Sequence, residues 1–173
     1  MQFTPIYAAL ITASVMVISA LITYLNAYLN RISERTKLTR DLYMHFFSML
    51  EDRNSAFFWL EKQNNENQNL TFETIWRSES GNAVSLYKVL AFWSILYRLY
   101  LAKQLDMPLA AILFGYEFFH WHEIMIPLVE STDKHNKIFP SVLQPFESRK
   151  WLLTDESFSK AARFNGVPNG KKH

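Results

Sequence analysis

The chain has no cysteine, which excludes disulfides, thiolate nucleophiles and thiolate metal sites together. It has only four glycines among 173 residues. That leaves little material for hairpin turns or for a phosphate-cradling loop, and no glycine-rich nucleotide fingerprint is present, so an all-α architecture is expected. An excess of one charge is missing too. With 18 basic and 16 acidic residues the formal net charge is +2, too small for a global field that draws in nucleic acid. Hydrophobic residues make up 49% of the chain and aromatics 16%, a composition that argues for a packed body and against disorder. The length suits one compact domain with an appendage.

The most informative absence is local. Met1 to Asn30 contains no charged side chain, and the first charge is Arg31. Ile6 to Leu25 is an apolar run of about twenty residues that spans roughly 30 Å as a helix, the hydrocarbon thickness of a bilayer. A cleaved signal peptide would carry Lys or Arg ahead of the apolar run and a small-residue cleavage site after it; Met-Gln-Phe-Thr-Pro supplies no such charge. A buried core helix is the other alternative. Arg31, Arg35, Lys37 and Arg40 form a basic collar at one end, which predicts a single-pass inner-membrane protein whose C-terminal part is cytoplasmic. Tyr24 and Tyr28 lie near that end, where amphipathic rings prefer the headgroup layer.

At 100° per residue, Thr12, Ser19, Thr23, Asn26 and Asn30 fall within about 40° of one direction and form a polar stripe. Beside it runs a small-residue seam of Ala9, Ala13, Ala20 and Ala27 together with Met16 and Thr23, suited to close helix approach. Leu10, Val17, Ile18, Leu21 and Leu25 occupy the far side and suit lipid. A lone anchor tolerates such a stripe, because Ser and Thr bond back to their own helix carbonyls. Alternatively, several copies pack through the alanine seam and turn the stripe toward a shared, pore-like interior.

Beyond Arg31 no turn signal occurs before Asp52-Arg53-Asn54-Ser55, so a long helix is expected, with Leu38, Leu42, Phe46, Met49, Leu50 and Ala56 on its apolar face. The polar run Gln63 to Asn69 reads as an exposed loop. A short helix is expected near Phe72 to Arg77, then a cap at Asn82 and a long helix carrying Leu86, Val89, Leu90, Trp93, Leu96, Tyr97 and Tyr100. Asp106-Met107-Pro108 closes that helix and opens another. Leu109 to Met125 is the most apolar stretch of the body, with Phe114, Phe118, Phe119 and Trp121, until Pro127 kinks or restarts it. One amphipathic helix is expected near Phe146 to Leu153. The resulting division is a transmembrane helix at 1–30, a helical bundle at 31–165 and a flexible tail at 166–173.

Two clusters bear on chemistry. Glu117 and His120 have the three-residue spacing of di-iron carboxylate bundles, with His122, His135 and Glu123 nearby, but that site needs a second such pair and two more glutamates. No metal and no cofactor are expected. Arg40 and His45 form the second cluster, and His45 is the only histidine with an arginine five positions ahead. The pair resembles the motif of HEPN ribonucleases. There the histidine moves protons at the 2'-hydroxyl and leaving oxygen while arginine stabilises charge on the phosphate, usually across two protomers. Arg40 belongs equally to the basic collar, and structure or headgroup binding outweighs catalysis; the chain is not expected to be an enzyme.

Within Leu86 to Glu130, the residues Leu105-Asp106, Leu113-Phe114-Gly115-Tyr116, His120-Trp121, Glu123 and Pro127-Leu128 are similar to a bacterial domain family of unknown function. Its members often follow an N-terminal membrane helix with a small helical bundle. Taken with the apolar N-terminus, the length and the Arg40/His45 pair, the chain resembles the small transmembrane accessory family of type VI-B CRISPR systems. That resemblance implies a membrane-embedded homo-oligomer, a pore, that strengthens antiviral defence by an RNA-guided, RNA-cleaving effector, with a divergent HEPN-like motif. The alternatives are a membrane-tethered HEPN-type ribonuclease and a non-conducting anchored scaffold.

Overall fold

The computed structural model describes residues 5–66, 71, 75, 80–131 and 141–153, and for 5–15 the backbone alone. Among these residues the chain is all-α, with four helices and no strand: α1 (Pro5–Ser48), α2 (Leu50–Asn65), α3 (Gly81–Leu101) and α4 (Met107–Ser131). Two short 3-10 turns follow, at Gln144–Phe146 and Arg149–Trp151.

The first helix runs without interruption through Asn30 and Arg31. It ends three residues earlier than the Asp52–Ser55 signal suggests. The Ser48 hydroxyl donates to the His45 carbonyl at 2.6 Å and the Met49 amide to the Phe46 carbonyl at 3.2 Å, tightening the last turn as helix termini do. Asp52 to Ser55 lie instead inside α2, where Glu51 and Asp52 in the first turn and Lys62 in the last suit the helix dipole. The restart changes the facing of residues beyond Met49, and Leu50 is therefore exposed, whereas Phe46 and Ala56 are buried.

The core is aromatic. Trp93, fully buried on α3, lies 5.1 Å from the ring of Phe46 on α1, 5.1 Å from Phe118 on α4 and 6.4 Å from Phe146. Tilted and edge-on rings at these separations add to area burial. The periodicity of α3 holds: Leu86, Val89, Leu90, Trp93 and Leu96 are buried, and Tyr97 and Tyr100 are half-buried. On α4, Phe114, Phe118, Trp121 and Met125 face the same core.

Helix boundaries depart from expectation for local reasons. Ser80, not Asn82, caps α3, its extended backbone letting Oγ accept from the Ala83 amide at 3.2 Å. The polar run begins inside α2, where Asn64 is drawn into the fold by donating to the Ile124 carbonyl at 3.0 Å. Pro127 cannot engage the Glu123 carbonyl, yet α4 continues through its proline to Ser131. The helix expected at Phe146 to Leu153 is replaced by the two 3-10 turns, separated by the extended backbone of Ser148. Trp151 pins them to the body by donating to the Pro145 carbonyl at 2.9 Å and packing on Phe118 at 5.0 Å. Ile75 is helical and buried; its expected partners across Phe72 to Arg77, the positions 67–69, His135 and the tail at 166–173 lie outside the described residues.

Candidate functional site

The body releases α1 at a small polar knot. The Thr36 hydroxyl donates to Asp106 Oδ2 at 2.7 Å, the Asp106 amide donates to Thr39 Oγ1 at 3.1 Å, and Thr39 donates back to the Arg35 carbonyl at 2.8 Å. Asp106 also caps α4, Oδ1 accepting from the Leu109 amide at 3.2 Å. One carboxylate thus starts α4 and fastens α1. Thr39 is fully buried, as a satisfied hydroxyl tolerates. The sequence carried a trace of this: two threonines three apart share a helix face, and an Asp precedes Met-Pro.

On the N-terminal side of the knot, every side chain from Met16 to Arg35 is exposed. Ten large apolar residues lie in that stretch, from Met16 at 66% exposure through Leu25 at 54% to Ile32 at 42%. Together they present on the order of 1,000 Å² of apolar surface, beyond the largest patch of an ordinary monomer. Left in water, that area forfeits on the order of 20 kcal/mol of transfer free energy, more than the net stability of most domains.

Of the polar stripe, Ser19, Thr23, Asn26 and Asn30 are all exposed. Thr23 spends its proton within the helix, donating to the Ser19 carbonyl at 2.9 Å. The side chains of Thr12, Ala9 and Ala13 lie outside the described set, while Ala20 and Ala27 are exposed. The collar residues Arg31, Arg35, Lys37 and Arg40 are likewise exposed.

Arg40 and His45 are both exposed on α1. Five residues of α-helix separate their directions by about 140°, so one chain does not converge them on one phosphate. The His45 ring rests 6.2 Å from Phe92. No group of three metal-ligating side chains occurs among the described residues. Glu117 is engaged otherwise, holding the Arg53 guanidinium at 2.8 Å, and His120 lies 4.6 Å from Tyr116. His122 is held below its usual pKa, first by burial and then by Arg149, against the opposing charge of Glu123.

The residues that carry the family resemblance divide between core and surface, with His120, Glu123 and Pro127 exposed. Leu105, Phe114, Trp121 and Leu128 are buried in the core, and Asp106 is the cap and tie just described. These buried residues and the Asp106 cap specify a helix and its packing. By length and composition α3 is apolar enough to cross a membrane, with 39% of that stretch buried inside the fold. No family model matches the chain, and neither the curated proteins nor the solved structures give a match.

Proposed function

We propose that this chain is a membrane-embedded homo-oligomer in which the apolar half of α1, Ile6 to Leu25, crosses the bilayer, with the body on the cytoplasmic side. The observation that carries this reading is the unbroken exposure of Met16 to Arg35, which includes ten large apolar residues, the least exposed of them Ile32 at 42%. Lipid is the solvent such a surface matches. Transfer of α3 to lipid instead would strip Trp93 from Phe46, Phe118 and Phe146 and dismantle the core, so α3 is read as the core helix.

Within an assembly, the alanine seam gives close helix contact and Ser19, Asn26 and Asn30 turn to a shared polar path. Together with the resemblance to the type VI-B accessory family, this supports a pore that strengthens antiviral defence by an RNA-guided effector. A ribonuclease built from Arg40 and His45 is the weaker reading, because their spacing alone supports it.

The test is alkaline extraction of membranes from expressing cells, followed by mass measurement in mild detergent. Retention in the membrane with a discrete multimeric mass is the expected result. Release into the supernatant would overturn the membrane reading, and a monomer across protein concentrations would overturn the pore.

A further inference from the structure

Between α1 and the end of the body lies a groove of about 520 Å³, within the size range of small-molecule sites. One wall is α1, through Tyr28, Ile32 and Arg35; the other is the turn from α3 to α4, through Lys103, Leu105 and Pro108. The three α1 residues point within about 60° of one another, on the side of the helix that lower down carries Thr39 and Phe46 into the body. The groove is therefore the α1–body interface continued beyond the polar knot, where the body no longer fills it.

The lining divides by chemistry. Arg35 and Lys103 are exposed cations with no ion-pair partner among the described residues. Tyr28, Ile32, Leu105 and Pro108 supply an apolar floor. Asp106 also borders the groove, but its two carboxylate oxygens already accept from the Thr36 hydroxyl and the Leu109 amide. One net positive charge remains.

Lys103 adds an independent observation. It follows the last turn of α3 with φ 56°, its amide donating to the Tyr100 carbonyl at 2.9 Å and the Gln104 amide to the Leu99 carbonyl at 2.9 Å. That is the left-handed closing position of a Schellman motif, where glycine is the undemanding residue. A lysine in that conformation, beside an arginine with no ion-pair partner among the described residues, points to a role for the side chain.

From this, and resting on the membrane reading above, we propose that the groove holds an anionic phospholipid, its phosphate on Arg35 and Lys103 and the start of an acyl chain along Tyr28 and Ile32. Tyr28 lies about 4.5 Å along the helix beyond Leu25 and Arg35 about 15 Å; the headgroup layer is some 5 to 7 Å thick. A tilted helix and the long Arg35 side chain bring the guanidinium back to phosphate level. The apolar segment of α1 leads from the hydrocarbon directly into the groove, which identifies a lipid as the occupant.

The full chain is reconstituted in nanodiscs of phosphatidylcholine with a minor fraction of fluorescent phosphatidylglycerol, and lipid retained through detergent exchange is measured. Arg35→Gln and Lys103→Gly are each expected to lower retention about five-fold, following from about 1 kcal/mol per basic residue at an anionic surface. Lys37→Gln, a collar residue outside the groove, is expected to leave it unchanged. Lys103→Gly should melt at the same temperature as the parent or higher, which separates lost binding from lost folding.

Equal loss in all three variants would reduce the effect to general attraction by the basic residues and overturn the site, as would full retention in Arg35→Gln and Lys103→Gly. Displacement of the lipid by millimolar inorganic phosphate would overturn the lipid assignment in favour of a free anion. Failure of the parent chain to enter nanodiscs at all would overturn the membrane reading, whereas insertion without selectivity overturns this inference alone.

Discussion

Arg53 reaches from α2 to Glu117 on α4, Nη2 to Oε1 at 2.8 Å, while its Nη1 donates to the Phe46 carbonyl at 3.3 Å and its guanidinium lies 4.0 Å over the Phe46 ring. A single side chain thus satisfies a carbonyl at the end of α1, stacks on the core and ties α2 to α4. The pair is unequal, since the arginine side chain is 8% exposed and the glutamate 38%. Removing one partner of an ion pair costs most when the charge left behind is the buried one. Glu117→Ala should therefore destabilise by about 2–3 kcal/mol, and Arg53→Met, which leaves a carboxylate that water reaches, by about 1 kcal/mol. Urea denaturation of the two variants checks the order, and a larger loss in Arg53→Met would refute it.

Asp106 combines a helix cap with a tie between elements, and the two roles separate by substitution. Asp106→Ala removes the acceptor of the Leu109 amide and of Thr36 and should cost about 1–2 kcal/mol. Asp106→Asn keeps a cap oxygen and should cost less than half as much. Amide hydrogen exchange across residues 35–40 is the second readout, with faster exchange expected in Asp106→Ala.

His122 makes stability depend on pH. Burial, the largest cause, and Arg149 lower its pKa, while Glu123 opposes them, so the folded state binds a proton less readily than the unfolded chain. Stability is highest with the imidazole neutral, and it falls as pH drops below the unfolded value near 6.5 toward the lower folded one. Melting temperatures between pH 7.5 and 5.5 should decline for the parent chain and less steeply for His122→Phe. Parallel slopes would exclude His122 as the cause.

Thr23 and its stripe neighbours differ in what they offer a pore. The Thr23 hydroxyl is bonded to the Ser19 carbonyl, so Thr23→Val should change dye leakage from loaded liposomes by less than about two-fold. Asn26→Leu and Asn30→Leu at matched insertion should suppress leakage by about ten-fold, the effect of roughly 1.4 kcal/mol on a polar path. Leakage insensitive to both asparagines would count against the stripe as a conducting surface.

The helical body was legible because its signals are strong and redundant. The spacing of Leu86, Val89, Leu90, Trp93 and Leu96 admits only a buried helix face, and Asp-Met-Pro at 106 to 108 marks the start of α4, whereas α3 stops earlier, at Leu101, closed by the left-handed Lys103. The misses lie where a tertiary contact overrode local composition. Asp52 to Ser55 resembles a turn, yet the helix breaks at Met49, where Ser48 bonds back to His45 and the Arg53 guanidinium engages the Phe46 carbonyl. Asn64 belongs to a polar run, yet it is spent on the Ile124 carbonyl, 60 positions later. Of the candidate site, the apolar segment and collar are expected from composition and the stripe from helical periodicity. The groove does not, because it depends on which face of α1 the body covers, and the two cations that line it are 68 positions apart.

The lack of any break in α1 between Pro5 and Ser48 has a mechanical consequence. A straight helix of that length is a rod of roughly 66 Å, clamped near one end by Thr36, Thr39 and Phe46. It has no proline or glycine in its interior to serve as a hinge. A tilt or rotation of the body is then delivered undiminished to the far end of the rod. In the proposed membrane assembly, the angle at which neighbouring bodies meet would set the azimuth of every apolar segment, so a change at the body would act on the bilayer by leverage.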